Sequence, residues 1–476
     1  MISSIRLGWR HARWVVVAAA LPALWACNNR RLQAPNAPPA QQLDHYFEQN
    51  VNNDIDIVFM IDNSTSMDLE QANLARNFPT FINVLKSLPN GLPNVHIGIL
   101  SSDLGGGAFE PPGCEAGGDR GAFQRAPRAN NGTCTAVPRD NYIISLEGGT
   151  KNNFDGDLAG VFQCIAELGV GGCGFEHQLA SVRRALGGEG AAPPENNGFL
   201  RDNAFLAVIL ITDEDDCSAP ANSDLFDPAQ KFLSDTYGPF SSYRCNEFGH
   251  LCGGVRPPRT SASGITGCQS AEGAGKLIPV VDFVNFFKSV KGGSPNKVIM
   301  AAITGPAGPY AVEVDTMGFP RITDSCQSSN GGASPGVRMN EFIKAFGSSG
   351  TSFSICQDNF SPAMDRIAQE IGKRLATQCM DGTLLTQDGT VVTENNKDEA
   401  ECQVTDRTLV RGDLTTETSV PNCTKANGGF PCWTFKANAN DCKVSGLELV
   451  IDRGPNGQAP SNTVAVVKCK TLATVM

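Results

Sequence analysis

Residues 56–67 read DIVFMIDNSTSM, and residues 204–216 read AFLAVILITDEDD. Each stretch contains a continuous apolar run, so both faces of the corresponding strand are predicted to be buried. Burial on both faces is typical of central strands in a mainly parallel sheet that helices cover. Each apolar run is followed closely by an aspartate, Asp62 or Asp213. The two stretches therefore decide both the predicted fold and the predicted site.

Outward from these strands, segments with helical periodicity alternate with further apolar strands over residues 46–378. This order predicts an α/β fold with a doubly wound, mainly parallel sheet of the Rossmann-like kind. Two cysteine-bearing insertions are predicted near residues 105–150 and 217–278. From residue 379 the helical periodicity is lost, and Thr- and Val-rich segments predict a small, β-rich, disulfide-stapled C-terminal domain over 379–476.

Loops at the carboxyl ends of strands form the ligand crevice of an open α/β sheet. We therefore expect Asp62 and Asp213 to meet at one edge, together with Ser64 and Ser66. Carboxylate and hydroxyl oxygens, with no His or Cys close in sequence, suit Mg²⁺ first, with Ca²⁺ and Mn²⁺ as alternatives. The acidic run 213–216 is interpreted as a solvated loop, as an extension of the cation site, or as a second Ca²⁺ site.

On these two stretches and the strand–helix order, the chain resembles a von Willebrand factor A (vWA) domain over roughly residues 46–378. The resemblance implies a metal-ion-dependent adhesion site (MIDAS), in which Asp62, Ser64 and Ser66 contact the ion and Asp213 acts mainly through water. In this family an acidic group of a partner often completes the coordination. The implied function is divalent-cation-dependent binding of a protein or another macromolecule.

The chain departs from the family pattern in the loop GGCGFE (171–176), which lacks the usual threonine ligand. Glu176 either replaces that threonine as a carboxylate ligand or is a helix-start acid favoured by the helix macrodipole. A second departure is Glu214, where many vWA domains have glycine.

The N-terminus has the layout of an export signal. Residues 1–26 contain three arginines, an apolar run and no acid, which predicts a signal peptide. The sequence Leu24-Trp25-Ala26-Cys27 resembles the bacterial lipobox, which makes Cys27 the predicted lipid anchor. Residues 27–45 are then a Pro-rich tether, and Asn28 favours the outer membrane. The alternative is an ordinary signal peptide, with Cys27 in a disulfide.

The chain contains 17 cysteines, and removal of the anchor leaves an even sixteen. So many cysteines indicate an oxidising compartment, and the hypothesis is that they pair locally. The local sets are Cys114 and Cys134; Cys164 and Cys173; Cys217, Cys245, Cys252 and Cys268; Cys326 and Cys356; and Cys379, Cys402, Cys423, Cys432, Cys442 and Cys469. A bond between Cys164 and Cys173 would rigidify the loop that presents Glu176.

The composition narrows the function. A net charge of −11, which becomes −14 once the three arginines of the signal peptide are removed, argues against nucleic acid as a partner. The pattern G-x-S-x-G at 332–336 is interpreted as a flexible turn, so no enzyme activity is predicted. The predicted protein is an exported, lipid-anchored protein of the bacterial cell envelope that binds a macromolecule through a divalent cation. The alternative is a structural or assembly lipoprotein that binds no metal.

Overall fold

The computed structural model describes residues 45–472, except 52, 89–90, 129–135, 203, 273–274, 293–296, 377, 381, 412–413, 440–441, 443 and 455–462. The predicted signal peptide, Cys27, the tether up to residue 44 and Cys134 lie outside the described residues. Across the described residues, no helix is long and apolar enough to cross a membrane.

The described helices are α1 (Asp68–Lys86), α2 (Leu158–Ala166), α3 (Gln178–Ala185), α4 (Tyr243–Gly249), α5 (Val280–Ser289), α6 (Val337–Lys344) and α7 (Ser361–Ala376). The described strands are β1 (His45–Val51), β2 (Asp54–Ile61), β3 (Asn94–Ser101), β4 (Ile143–Leu146), β5 (Lys151–Asn152), β6 (Phe205–Ile211), β7 (His250–Cys252), β8 (Ala262–Ile265), β9 (Cys268–Ser270), β10 (Val298–Thr304), β11 (Tyr310–Val314), β12 (Pro320–Ile322), β13 (Cys326–Gln327), β14 (Gly332–Ala333), β15 (Gly350–Ser354), β16 (Gln378–Cys379), β17 (Cys402–Arg411), β18 (Leu414–Val420), β19 (Cys432–Ala437), β20 (Leu447–Asp452) and β21 (Thr463–Thr471).

The largest sheet has seven strands in the order β15-β10-β6-β2-β3-β4-β5 and is mixed. Strands β15, β10, β6, β2 and β3 pair in parallel, whereas β4 and β5 are added at one edge in antiparallel pairings. The register sets Ile61 of β2 opposite Ile211 of β6 and Ser101 of β3. The carboxyl ends of these three strands are therefore level with one another.

The prediction of a doubly wound, mainly parallel α/β fold is wrong for this chain. The large sheet is mixed, and the other described strands form five smaller sheets with antiparallel pairings. Hydrophobic periodicity located the buried strands singly, but the direction in which neighbouring strands pair depends on the connections between them. The first insertion returns to the sheet as β4 and β5, and this return leaves no periodic signal in the sequence.

Two apolar clusters hold the large sheet between helices. On one face, Phe59 of β2 contacts Phe78 and Phe81 of α1, with ring centroids 5.7 Å apart in both pairs. On the other face, Val58 and Met60 belong to a cluster with residues of α3, α5 and α6. Alternate residues of β2 therefore enter different clusters, which explains why its apolar run is continuous. Helix α1 continues through Pro79 without a break.

The C-terminal region is built from both ends of the described chain. Strand β21 pairs with β1 on one side and with β17 on the other, and β18 completes this four-stranded sheet. A three-stranded sheet of β16, β20 and β19 accompanies it. The predicted C-terminal domain therefore also contains β1, which the sequence patterns did not indicate as a strand. Because β1 leads into β2, the two parts of the chain are joined at the start of the central strand.

Seven disulfides are described: Cys114–Cys173, Cys217–Cys245, Cys252–Cys268, Cys326–Cys356, Cys379–Cys442, Cys402–Cys469 and Cys423–Cys432. The prediction of disulfide bonds is confirmed. The predicted local pairings of Cys114 with Cys134 and of Cys164 with Cys173 are both wrong, because Cys114 bonds to Cys173 across 59 residues. Cys164 is disulfide-bonded as well. Disulfides in this number indicate a protein that folds outside the reducing cytosol.

Candidate metal centre

The candidate site lies where the central strands end. The backbone N–H of Asp62 donates a hydrogen bond to the carbonyl of Ile211 at 2.9 Å, and that of Thr212 donates to Ile303 at 3.1 Å. These bonds extend the parallel ladder by one residue beyond the strands. The loops that follow β2 and β6 therefore begin side by side, as the sequence predicted for Asp62 and Asp213.

Asp62 is completely buried and tightly held. Its Oδ1 accepts the backbone N–H of Ser64 at 2.8 Å, and its Oδ2 accepts the hydroxyl of Thr212 at 2.5 Å. The hydroxyl oxygens of Ser64 and Ser66 lie 3.2 Å apart. Ser64 is buried, but Ser66 is exposed to solvent. The three residues of the D-x-S-x-S motif are thus together, with one open side.

Asp213 is 4% exposed, and its Oδ1 has no hydrogen-bond partner among the described atoms. Burial, reinforced by repulsion from Asp62, raises the pKa of Asp213 to about 8, although a hydrogen bond from Ser66 opposes this shift. Burial also raises the pKa of Asp62, against the hydrogen bonds from Thr212 and Ser64. Both carboxyls therefore lie where negative charge is poorly compensated.

Glu176 reaches the same cluster from the loop before α3 and is completely buried. Its Oε2 accepts the hydroxyl of Ser102, while its Oε1 has no described partner. Burial, followed by repulsion from Asp62 and Glu214, raises the pKa of Glu176 well above its usual range. The side chain therefore belongs electrostatically to the cluster.

Glu176 does not act as the helix-start acid of α3. The N–H of Leu179 donates instead to Asp216 Oδ1 at 3.0 Å, and the N–H of Ala180 donates to Ser218 Oγ at 2.9 Å. Asp216 and Ser218 thus satisfy the first turn of the helix. Of the two roles considered from sequence, the hydrogen bonds leave Glu176 free to act as a ligand.

Sequence reasoning missed two buried residues of the cluster, Glu70 and Gln178. Glu70, in the first turn of α1, is 2% exposed, and its Oε2 has no described partner. Acids are common in the exposed first turn of helices, where the macrodipole stabilises their charge, so the position of Glu70 does not by itself predict burial. Gln178 is completely buried, and its amide donates to the hydroxyl of Thr212 at 2.9 Å. Its position at the start of α3 carries no separate sequence signal.

The cluster combines excess negative charge with unsatisfied acceptors. Among the described residues, no Lys, Arg or His forms an ion pair with any of its five carboxyls, Asp62, Glu70, Glu176, Asp213 and Glu214. Five buried oxygens there lack a hydrogen-bond partner: Asn63 Oδ1, Glu70 Oε2, Glu176 Oε1, Gln178 Oε1 and Asp213 Oδ1. A buried polar group left unpaired costs about 1–3 kcal/mol.

Such a donor set fits a hard divalent cation, because Mg²⁺ and Ca²⁺ bind carboxylate, amide carbonyl and hydroxyl oxygens. Within the described part of the chain, no group of three or more His, Cys, Asp or Glu side chains is arranged to hold a metal ion. The four ligands predicted by the vWA resemblance include only two carboxylates. A cation there would depend on Ser64 and Ser66 as well as on Asp62 and Asp213.

The G-x-S-x-G motif lies beside the cluster and not in a flexible turn, contrary to prediction. Ser334 follows β14 directly and is separated from α6 by two residues, and its N–H donates to the carbonyl of Asp213 at 2.8 Å. The nearby His250 bonds through Nε2 to Asp215 Oδ2 at 2.7 Å and through Nδ1 to the Tyr310 hydroxyl at 3.2 Å. Both imidazole nitrogens are thus engaged away from Ser334.

No protein-family model and no curated protein matches this chain. Among solved structures it has 12% identity and a TM-score of 0.28 with the open conformation of the pilus adhesin SpaC from Lactobacillus rhamnosus GG, covering 90% of this chain and 41% of SpaC. The adhesive tip pilin GBS104 from Group B Streptococcus agalactiae has 10% identity and a TM-score of 0.24, covering 89% of this chain and 79% of GBS104. Human COPII-coat protein Sec24c has 8% identity and a TM-score of 0.25, covering 94% of this chain and 48% of Sec24c.

The chain thus spans less than half the length of SpaC. TM-scores this low do not establish a shared fold, so the functional argument rests on the geometry of the cluster.

Proposed function

We propose that this protein is an exported binding protein in which Asp62, Ser64, Ser66 and Asp213 hold a divalent cation, as in a vWA-type adhesion site. The observation that carries the proposal is the set of buried, unpartnered acceptor oxygens around Asp62. Donors from the described residues do not satisfy these oxygens, and one of them, Asp213 Oδ1, belongs to a proposed ligand of the cation. Mg²⁺ is the first candidate, with Ca²⁺ and Mn²⁺ as alternatives.

The proposed role of the cation is to bind a protein or another macromolecule of the cell surface. Its support is the open side of the site: Ser66 is exposed and Glu214 is partly exposed, while Asp62 and Glu176 are buried. An ion held by Asp62 and the two serines can therefore be reached by a ligand atom from outside. We propose binding and not catalysis, since Ser334 has no described base within hydrogen-bond distance.

We further propose that Cys27 anchors the protein to lipid, in the outer membrane. From β1, which belongs to the four-stranded sheet, the chain continues into β2 of the large sheet, and the site follows the end of β2. Strand β2 has 8 residues, which corresponds to about 26 Å at the usual rise of a strand. A protein tethered at its N-terminus would thus present the site at the far end of its central strand.

The test is the stability of the purified protein, with disulfides intact, in chelator and in saturating Mg²⁺, Ca²⁺ or Mn²⁺. A cation at 100 times its dissociation constant is expected to increase the free energy of unfolding by about 2.7 kcal/mol. Asp62→Asn should abolish the increase, while the matched change Asp282→Asn, at an exposed residue of α5, should retain it. No increase with any of the three metals would favour the alternative, a metal-independent structural lipoprotein.

Partner binding requires a separate measurement. Immobilised wild-type protein should retain a cell-envelope macromolecule in the presence of the cation and release it in chelator. Asp62→Asn should fail to retain it under both conditions, while Asp282→Asn should behave as the wild type. Equal retention by all three proteins in chelator would show that binding does not use the cation.

A further inference from the structure

We propose that Cys252–Cys268 is a redox-active disulfide, which exchanges with an external dithiol, and that the Tyr310 hydroxyl stabilises the thiolate released at Cys252. The disulfide joins β7 to β9, at the position where the two cysteines are partners in the strand register. Thiol–disulfide exchange here would be an activity separate from the candidate metal centre, and it does not depend on a cation at Asp62.

The Cys252–Cys268 disulfide can be reached from solvent. Both cysteines are partly exposed, and the adjacent Gly253 and Gly267 are exposed. Of the seven disulfides described above, only Cys326–Cys356 shares this property, since each of the others contains a buried cysteine. A thiolate must reach a sulfur in order to attack it. Exchange in the folded protein is therefore sterically possible at these two disulfides.

A buried hydroxyl lies directly behind Cys252–Cys268. Tyr310 is 4% exposed, and its hydroxyl oxygen lies 3.2 Å from Cys252 Sγ and 3.7 Å from Cys268 Sγ. A disulfide sulfur has no proton, so only Tyr310 can donate in these contacts. Burial, followed by repulsion from Asp215, raises the pKa of Tyr310. The hydroxyl therefore keeps its proton at neutral pH and remains a donor.

The Tyr310 hydroxyl is held in place by His250. The Nδ1 of His250 lies 3.2 Å from that hydroxyl, and its Nε2 lies 2.7 Å from Asp215 Oδ2. A carboxylate only accepts, so Nε2 is the donor, which leaves the Nδ1 of a neutral imidazole as an acceptor. Asp215 is itself fixed by the backbone N–H of Arg338 at 2.9 Å. The single proton of Tyr310 thus has two acceptors at the same distance, His250 Nδ1 and Cys252 Sγ.

The exchange reaction has two steps. A thiolate of the dithiol attacks Cys268 Sγ; a new S–S bond forms there, the bond to Cys252 breaks, and its electron pair stays on Cys252 as a thiolate. The second thiolate of the dithiol then attacks the dithiol sulfur that is bound to Cys268, and Cys268 leaves as a thiolate. The dithiol is thereby oxidised to a disulfide. The protein disulfide is reduced, and its two thiolates take up the two protons that the dithiol lost.

Tyr310 acts in the first step. A thiolate is a much stronger acceptor than a disulfide sulfur, so the Tyr310 proton turns from His250 to Cys252 as the S–S bond breaks. Stabilisation of the leaving thiolate accelerates exchange and influences which sulfur is attacked. Because the hydroxyl lies nearer to Cys252 than to Cys268, Cys252 is the sulfur that leaves.

The Cys326–Cys356 disulfide provides a comparison within the same chain. Its cysteines are also partly exposed, and Cys326 Sγ lies near a hydroxyl, that of Ser354, but at 3.6 Å. Among the described residues, no imidazole or carboxyl is hydrogen-bonded to Ser354, which accepts the backbone N–H of Cys356. The two disulfides therefore differ in the distance and the support of the hydroxyl.

The experiment measures how fast each disulfide opens. The full protein, with disulfides intact, is incubated at neutral pH with dithiothreitol under conditions in which it stays folded. Free thiols are alkylated with N-ethylmaleimide at successive times and assigned by peptide mapping. We expect Cys252–Cys268 to open about 10-fold or more faster than Cys326–Cys356, which is the effect of a hydrogen bond to a charged group.

Variants separate the role of the hydroxyl from that of exposure. Tyr310→Phe should slow the opening of Cys252–Cys268 by about the same factor and leave Cys326–Cys356 unchanged. Tyr237→Phe is the matched control, because Tyr237 is also 4% exposed and its hydroxyl donates to Asp224, away from the described cysteines. His250→Leu should slow the same disulfide as Tyr310→Phe. Faster opening of both disulfides in His250→Leu would overturn the positioning role of His250.

Equal opening rates for the two disulfides in the wild type, or an unchanged rate in Tyr310→Phe, would overturn the proposal. Should Tyr310→Phe fail to fold, as judged by its near-ultraviolet circular dichroism, the wild type supplies the test. Exchange with glutathione, stopped with acid, traps the mixed disulfide, which we expect on Cys268 with a free thiol at Cys252. Glutathione on Cys252 instead would overturn the role of Tyr310. The proposed cation site is untouched by any of these results.

Discussion

The two ends of strand β2 each carry a completely buried aspartate, yet only one of them has a cationic partner. Asp56, near the start, accepts Arg201 Nε at 2.7 Å through Oδ1 and Lys291 Nζ at 2.9 Å through Oδ2. Asp62, directly after the end, accepts the backbone N–H of Ser64 and the hydroxyl of Thr212 and has no described cationic partner. An aspartate near the start of β2 therefore forms ion pairs, whereas the aspartate directly after its end has no described counter-charge.

The acidic run that follows β6 divides in the same way. Asp215 is bonded to His250, and Asp216 to Arg338, whose Nη2 lies 2.9 Å from Asp216 Oδ2. Asp213 and Glu214 have no described ion pair and face Asp62. The difference teaches that burial of acids does not itself mark a site. The distinguishing feature is burial without a counter-charge from the chain.

The largest expected effect comes from removing a cationic partner of Asp56. In Lys291→Met, Asp56 loses one of its two cationic partners, and removal of one member of a buried pair costs about 3–5 kcal/mol. The free energy of unfolding, measured in urea, should fall by that amount. The exposed Lys344→Met is the control and should change it by less than about 0.5 kcal/mol. A loss below 1 kcal/mol in Lys291→Met would mean that Arg201 alone suffices for Asp56.

The next effect concerns the Cys114–Cys173 disulfide, which holds the loop of Glu176. Replacement of Cys114 and Cys173 by alanine should reduce stability by about 2–4 kcal/mol and should also weaken Mn²⁺ binding, because this disulfide holds the loop of Glu176. Replacement of Cys423 and Cys432, in the C-terminal region, is the control. It should lower stability without a change in Mn²⁺ affinity. Equal Mn²⁺ affinities in the two double variants would show that the Cys114–Cys173 disulfide does not contribute to metal binding.

The pH dependence of the stability of the metal-free protein should report the ionisation of Asp213. The pKa of Asp213 is raised from 3.8 to about 8, so between these values the folded protein retains a proton that the unfolded chain has released. Stability from this group is complete below about pH 4 and is lost as the pH rises towards 8. In chelator, the wild type should lose up to about 1 kcal/mol per pH unit relative to Asp213→Asn. A constant difference between pH 5 and 8 would contradict the repulsion at this site.

The smallest effect on stability is expected for Gln178→Leu in chelator. The change removes a hydrogen bond to Thr212 but also removes an unpartnered buried oxygen, so the two contributions oppose each other. We expect a change in the free energy of unfolding below about 1 kcal/mol. Ser181→Ala, on the same buried face of α3, is a comparison that removes one hydrogen bond to a helix carbonyl. A loss above 2 kcal/mol for Gln178→Leu would show that its role is structural.

The sequence located much of the candidate site but not its environment. The continuous apolar runs identified β2 and β6, and the position of Asp62 and Asp213 after them predicted that the two would meet. Glu70 and Gln178 were missed because their burial depends on segments distant in sequence: the Gln71 amide next to Glu70, for example, bonds to Gly169, 98 residues away. The acidic run 213–216 was interpreted as one unit, although its second half forms ion pairs.

The fold class was wrong for a related reason. Period-two and continuous apolar patterns describe one strand at a time, while strand direction in a sheet depends on where the connections return. Strand β4 is separated from the end of β3 by 41 residues and pairs with it in antiparallel orientation. Strand β1 pairs with β21 at the opposite end of the chain. Neither pairing has a local sequence signal.

The sequence by itself determined where the buried strands run, that acids follow two of them, and that the cysteines require an oxidising compartment. These properties are local, because burial of an apolar run and the chemistry of a side chain need no distant partner to be recognised. The tertiary structure alone decided which acids are neutralised. Lys291 reaches Asp56 across 235 residues, and no described cation reaches Asp62. The difference between an ion pair and a candidate metal centre is therefore a property of the folded chain.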